Sequence, residues 1–364
     1  MPTLSVIIPV LNGARFLPKC LECLRQSTTP LVECIVVDDG STDVSAAIAE
    51  AAGVKVLRTR GHAGPASGRN QGAAHATGDV LVFLDADVCV RPGTLALIRA
   101  RFENDPSIDA LFGSYDDEPG DPGFVSQYKN LLHHYVHKSG HTEAVTFWSG
   151  CGAIRRAVFQ AAGGFDERYS RPSTEDVELG YRLRAAGRRI VLDPGIQVKH
   201  LKRWGLVALV RCDIICRALP WTRLILRSSR LPDDLNLAVS QRLTAILVLA
   251  SAILALIGPF IETSPAWALL PLAAAIWLNR QFYLFLAAKR GWLFLAGALP
   301  LHLAYYLYSS LAFAAGVVMH VLVWRRQTGQ IPAPPAFQGK TLEWPGSPAL
   351  VVPQARDRRV EPDK

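Results

Sequence analysis

The stretch "VLVFLDADV", Val80 to Val88, delivers two carboxylates, Asp85 and Asp87, at the end of an otherwise apolar run. Alternation along a strand sends both to one face, where two unpaired acids repel each other and a divalent cation relieves the repulsion. Hard oxygen donors suit Mg2+ or Mn2+, which usually keeps several waters and takes its remaining ligands from substrate phosphates. The spacing alone is weak, because any loop can hold two acids one residue apart. Asp38 and Asp39 in "VVDDGSTD" also close an apolar run, although Asp39-Gly40-Ser41 reads equally well as a turn and helix cap. Glu175 and Asp176 open the helical pattern "EDVELGYRLRAAG". Asp176 precedes Leu179 and Leu183 by three and seven residues and so shares their inward face. Ser173 and Asp176 also have capping-box spacing, and acids in a first turn complement the helix dipole.

Two other constellations carry less. His133 and His137 are four apart, as in a zinc pair, but His134 stands where a metalloprotease has Glu, so a helix lining a cleft is expected. Cys20 and Cys23 form a CxxC at helical spacing with Leu17, Leu21 and Leu24, without a second pair, which predicts core packing.

The elements that must position these residues alternate. Strand-like runs at "LSVIIPVL", "LVECIVVD", "VKVLR" and the opening stretch are separated by helical patterns near residues 14–26, 41–52 and 67–76. This order predicts an α/β fold, a mostly parallel sheet with helices on both faces, in which ligands bind beyond the carboxyl ends of the strands. Asn12, Asp38, Asp39, Asp85 and Asp87 all fall at those ends.

The 364 residues leave a surplus beyond such a domain, and from Leu243 to Trp324 it is dominated by Leu, Ala, Ile, Val and aromatics. Three membrane segments are predicted, about 243–261, 266–287 and 292–324, with Pro300 inside the last. The short apolar run at the start lacks a basic region before it, so the N-terminal domain is expected in the cytoplasm, and Lys289 and Arg290 put the second loop on the same side. The net charge of +8 concentrates arginines around residues 182–230, among tryptophans and just before the apolar third. That placement favours an anionic membrane surface over nucleic acid. The expected organisation is a catalytic domain at 1–200, interfacial helices at 201–242, membrane helices at 243–324 and a Pro-rich disordered tail at 325–364.

"GPASGRNQGAAHATGDVLVFLDADV", together with "VIIPVLNG" and "VVDDGSTD", resembles the family 2 glycosyltransferases of GT-A fold. The resemblance runs on through "WSGCGAIRRAVFQAAGGFDE", "STEDVELGYRLRAAGRR" and "VKH", covering about residues 3–200. It implies that Pro9 and Asn12 line a nucleotide pocket, that Asp38 and Asp39 meet the base and ribose of a nucleotide-sugar donor, and that Arg69 and Asn70 lie close to that donor. It implies that Asp87 and Asp85 hold the metal and diphosphate, with His200 near them, and that Asp176, beside Glu175, is the catalytic base. Trp148, Ser149 and Gly150 match the segment flanking the acceptor cleft. "HLKRW" departs from a Q-x-x-R-W pattern by His200 in place of Gln, which leaves the roles of Arg203 and Trp204 open. The implied protein is a membrane-bound, metal-dependent, inverting transferase acting on a hydroxyl or phosphate of a lipid-borne acceptor at the cytoplasmic face. A polysaccharide synthase subunit, or a non-catalytic membrane scaffold, is the alternative.

Overall fold

A computed structural model describes residues 1–228, 233–262 and 264–324. The expected tail, 325–364, lies outside the described residues.

Eight strands form one sheet: β1 Leu4–Val10, β2 Glu33–Asp38, β3 Lys55–Arg58, β4 Val80–Leu84, β5 Val88–Val90, β6 Ala110–Tyr115, β7 Cys151–Arg155 and β8 Ile190–His200. Their order is β3-β2-β1-β4-β7-β6-β8-β5. The first four run parallel, β7 enters antiparallel to both β4 and β6, and β8 runs parallel to β6. With β7 reversed, β1, β2, β4, β6 and β8 all point their carboxyl ends at one rim, which therefore collects Val10, Asp38, Leu84, Tyr115 and His200.

Seven helices flank the sheet: α1 Leu17–Arg25, α2 Ser45–Ala51, α3 Pro65–His75, α4 Thr94–Asn104, α5 Phe124–Ser139, α6 Arg156–Ala161 and α7 Glu175–Ala185. Strand alternation divides the core: Val6, Ile8 and Val10 pack with Leu17 and Ile98 on one face, while Ile7 packs with Ala73 and Leu179 on the other. All five residues of β4 are buried, as a strand covered on both faces requires. α3 lies so close to β1 that a Cβ on Gly72 would stand 2.5 Å from Ile7 Cγ2.

Beyond the sheet, α8 Leu206–Arg211, a π-helical turn at Cys212–Ala218 and α9 Leu219–Ser228 form one rod with Leu206, Val207 and Ile215 exposed. α10 Val239–Ile257, α11 Leu269–Leu278, α12 Arg280–Arg290 and α13 Trp292–Met319 follow. Two helical stretches, Val239–Phe260 and Trp292–Leu322, are long and apolar enough to cross a membrane. The segment expected to run unbroken over 266–287 is instead bent by 64° between Leu278 and Arg280. The break sits at Asn279, whose buried amide donates to Thr244 Oγ1 at 3.0 Å and accepts from Tyr306 at 3.0 Å. α5, α8, α12 and α13 share a hydrophobic cluster that includes Leu131, Leu209, Phe282, Leu286 and Ala298.

Candidate active site

β4 stops at Leu84, and Asp85-Ala86-Asp87 is a turn closed by the Val88 N–H to the Asp85 carbonyl at 3.2 Å. Strand alternation is therefore not what places the two acids; the turn into β5 does it, sending Asp85 to Arg69 and Asp87 towards His200. Arg69, buried on α3, donates to Asp85 Oδ1 and to Glu175 Oε1, each at 2.9 Å, and its guanidinium packs 5.5 Å from the Phe165 ring centre. Burial opposes the guanidinium charge, but Asp85, Glu175 and Asp176 outweigh it and raise the pKa of Arg69. One cation thus ties the acids after β4 to those opening α7.

Asp176, half-buried, accepts at Oδ2 from the Ser149 N–H at 3.1 Å and from Ser149 Oγ at 3.2 Å, and at Oδ1 from the Val177 N–H at 2.8 Å. The expected pairing of Ser173 with Asp176 is replaced by one of Ser173 with Glu175, whose Oε2 accepts the Ser173 N–H at 2.8 Å. Burial, then the adjacent Glu175 charge, pushes the Asp176 carboxyl up to about 6 against the pull of Ser149 and Arg69. Asp85 is likewise raised, mainly by burial, with Arg69 opposing and Asp87 adding to the rise.

On the other side of the turn, Asp87 Oδ2 stands 3.7 Å from His200 Nε2. Burial raises the Asp87 carboxyl, yet His200 and Lys202 together bring it below its ordinary value. His200 stacks on Tyr115 at 4.3 Å, and Tyr115 packs against His133 at 4.3 Å and edge-on to Trp148 at 4.9 Å. The absence of a side chain at Gly150 admits the Trp148 ring, whose Cζ2 would lie 2.5 Å from an added Cβ. His134 and His137 turn away from any joint site: their Nδ1 atoms meet the carbonyls of Tyr115 at 2.8 Å and Gly113 at 2.9 Å. The helix expected to line a cleft through its histidines has these two buried and tied to β6.

A cation fits the Asp87–His200 pair in part. Their separation of 3.7 Å exceeds a direct hydrogen bond, and the two side chains would have to draw closer to hold one small divalent ion between them. Among the described residues no group of three or more His, Cys, Asp or Glu could hold a metal. Such a donor set suits an ion that completes its shell with water and phosphate oxygens rather than a preformed protein cage.

The β1 and β2 end of the rim is built differently. Asn12 has a left-handed backbone, φ 51°, and its Oδ1 accepts the Thr42 N–H at 2.8 Å and the Asp43 N–H at 3.3 Å. Asp38 Oδ1 accepts the Ser41 N–H at 3.2 Å. Asp39 accepts from Thr59 Oγ1, His62 Nδ1 and the N–H groups of Ala63 and Gly64, all at 2.8 Å, so its lone pairs are occupied by the 59–64 loop. Pro9 packs beneath α3 at Gly68. Asn70 does not join the acids: its amide bonds the backbone of Phe165 and the Glu167 carboxylate, which holds the 165–167 segment. Tyr115 and the bridging action of Arg69 escaped the sequence reading; Tyr115 ends the apolar strand "ALFGSY" just as Asp38 ends β2.

The sequence profile of glycosyl transferase family 2 matches residues 5–163. The pre-mycofactocin glycosyltransferase of Mycobacterium tuberculosis is 32% identical over 213 residues, 56% of this chain and 43% of that protein. The 4,4'-diaponeurosporenoate glycosyltransferase of Staphylococcus haemolyticus is 33% identical over 146 residues, 37% of this chain and 33% of that protein. The chain thus spans under half the length of both of these curated relatives. A mannosyltransferase from Pyrobaculum calidifontis, solved with GDP-Man and Mn2+, shares the fold at TM-score 0.53 and 21% identity, over 88% of this chain and 87% of that one. The mixed sheet flanked by helices is a GT-A arrangement, and the N-terminal part of the chain, residues 5–163, is similar to glycosyl transferase family 2.

Proposed function

We propose that the chain is a membrane-bound inverting glycosyltransferase that moves a sugar from a nucleotide-sugar donor to a lipid-borne acceptor at the cytoplasmic face. The observation that carries this reading is the acid cluster at the rim, where Asp85 and Glu175 share one buried guanidinium, Asp176 lies within reach of its charge and Asp87 faces His200. Clustered carboxylates with opposed shifts are the signature of groups assigned to different tasks.

In this reading Asp87 and His200 hold Mg2+ or Mn2+ with the donor diphosphate, and Asp85 steadies the donor's ribose or sugar. The bound ion supplies positive charge where the leaving diphosphate gains negative charge. Arg69 keeps Asp85 and Glu175 in place instead of reaching the phosphates itself. Asn12, Asp38 and Asp39 shape the nucleotide end through their loops. Asp176 takes the proton of the acceptor hydroxyl as that oxygen attacks the anomeric carbon from the face opposite the diphosphate. Its orientation comes from the two donors of Ser149.

Residues 1–200 are the catalytic unit, 201–242 the interfacial helices and 243–324 the membrane part. Support for a cytoplasmic catalytic face comes from Lys289, paired with Asp117, and Arg290, which donates to Gln127 Oε1 at 2.8 Å; both follow an apolar stretch and touch the catalytic unit. The relative named for 4,4'-diaponeurosporenoate and the exposed Leu206, Val207 and Ile215 support an amphiphilic acceptor.

The test is a thermal-shift panel of UDP-, GDP- and dTDP-sugars with and without Mn2+ on the full chain, followed by transfer to membrane lipid extracts and to soluble sugars. A ligand at a hundred times its Kd should stabilise the protein by about 2.7 kcal/mol. Absence of any nucleotide-sugar response overturns the transferase reading, and transfer to soluble acceptors alone overturns the lipid part.

A further inference from the structure

The rod 206–228 carries a charged group that the chemistry above leaves unused. Its π-helical turn, Cys212–Ala218, widens the helix locally, a feature that recurs where side chains must be re-aimed at functional sites. Asp213 on this turn is buried and accepts from Lys129 of α5 at 2.7 Å and from Tyr308 of α13 at 2.8 Å. Arg217, four residues on, is engaged more loosely. Its nearest carboxylate is Asp213 at 4.0 Å, its side chain keeps 43% of its exposure, and among the described residues it has no hydrogen-bonding partner.

The turn that carries Arg217 is nevertheless tied to the helix beside the candidate active site. The Lys129–Asp213 pair locks its turn against α5, and Lys129 and His133 are one turn apart on that helix. The charge of Arg217 acts on both His133 and Tyr115. His133 packs on Trp148 at 4.7 Å and on Tyr115, Tyr115 stacks on His200, and Ser149, next to Trp148, holds Asp176. The rings of His133, Tyr115 and Trp148 therefore link α5, to which the turn of Arg217 is locked, with both ends of the reaction. His133 Nδ1 is buried there without a hydrogen-bond partner. Lys202, 4.5 Å from the Trp204 ring centre, adds a second cation whose charge reaches Asp87.

We propose that Arg217 docks a phosphate group carried by the lipid acceptor, holding it on the membrane side of those rings while the attacking oxygen reaches Asp176. This rests on the transferase reading and deepens it. A guanidinium fork matches phosphate oxygens in two parallel hydrogen bonds, and a phosphate monoester brings enough charge to meet both Arg217 and Lys202.

The test uses the full chain in neutral phosphatidylcholine nanodiscs, titrated by tryptophan fluorescence with farnesyl phosphate, farnesol and inorganic phosphate. Wild-type protein should bind farnesyl phosphate about tenfold or more tighter than farnesol, and inorganic phosphate weakly. Arg217→Gln should bring that ratio close to one with farnesol affinity unchanged, which also reports an intact cleft, and Arg217→Lys should keep part of the preference. A preference that survives in Arg217→Gln, or is absent from wild type, overturns the proposal. Inorganic phosphate binding as tightly as farnesyl phosphate overturns its lipid source. Nucleotide-sugar thermal shifts on the same wild-type sample test the transferase reading separately, since their failure would leave a phosphate preference standing.

Discussion

At the β2 end of the rim, Asp39 accepts four hydrogen bonds from the 59–64 loop and Asn12 gathers the amides of Thr42 and Asp43. At the β4 end, Asp85 and Glu175 divide one guanidinium, Asp176 is held by Ser149 and its own helix, and Asp87 faces a histidine at 3.7 Å. The first region uses its acids to fix backbone, so its shape exists before any ligand arrives. The second concentrates negative charge that its own residues only partly neutralise, so bringing a cation or a proton there lowers the free energy. Satisfied carboxylates mark where shape is set, and crowded ones mark where chemistry is poised.

The contrast can be broken at either end. Asp176→Asn should cost the largest factor, on the order of 10²–10⁴ in transfer rate, with nucleotide-sugar thermal shifts retained. Residual transfer within tenfold of wild type would remove Asp176 from the base position. Asp87→Ala should lower transfer by on the order of a hundredfold and erase the Mn2+-dependent part of the thermal shift. Asp39→Ala, by contrast, should act mainly on folding: it leaves the buried Gly64 N–H without its acceptor and costs about 1–3 kcal/mol in urea unfolding. If Asp39→Ala left stability unchanged, the division between shaping and reacting acids would fail.

A pH series sharpens the same contrast. With the Asp176 carboxyl at about 6, transfer measured as kcat/KM should rise with pH and be half-maximal near pH 6, because only the ionised form accepts a proton. For stability the sign is opposite. A folded-state pKa above the ordinary value means that this group's contribution is fully present below the unfolded value and lost as pH rises through about 6. Asp176→Asn should therefore gain in thermal midpoint relative to wild type at pH 7.5 but not at pH 4. The smallest effect is expected for Lys289→Ala, whose partly exposed pair with Asp117 is worth under about 1 kcal/mol in thermal unfolding.

Much of the sheet was legible because strands buried on both faces write themselves as apolar runs, and β4 is the clearest of them. The placement of acids at strand ends followed directly. What stayed hidden depended on contacts distant in sequence. Nothing in "CGAIR" announces that β7 inserts antiparallel between β4 and β6. Arg69 and Asn70 are neighbours in one motif, yet successive helix positions point about 100° apart, so one reaches the acids and the other holds Phe165. The break at Asn279 did have a signal, the polar "NRQ" inside an apolar stretch, but only the packing of Thr244 and Tyr306 around Asn279 reveals a bend there.

α12 lies against α5, and its last residues grip the 117–127 segment, so the sheet cannot swing freely on the short connection before α10. On the membrane reading this makes the protein a gantry of constant height. An acceptor's tail length then matters little, whereas the spacer between its anchoring tail and its reacting hydroxyl decides whether it can be served at all.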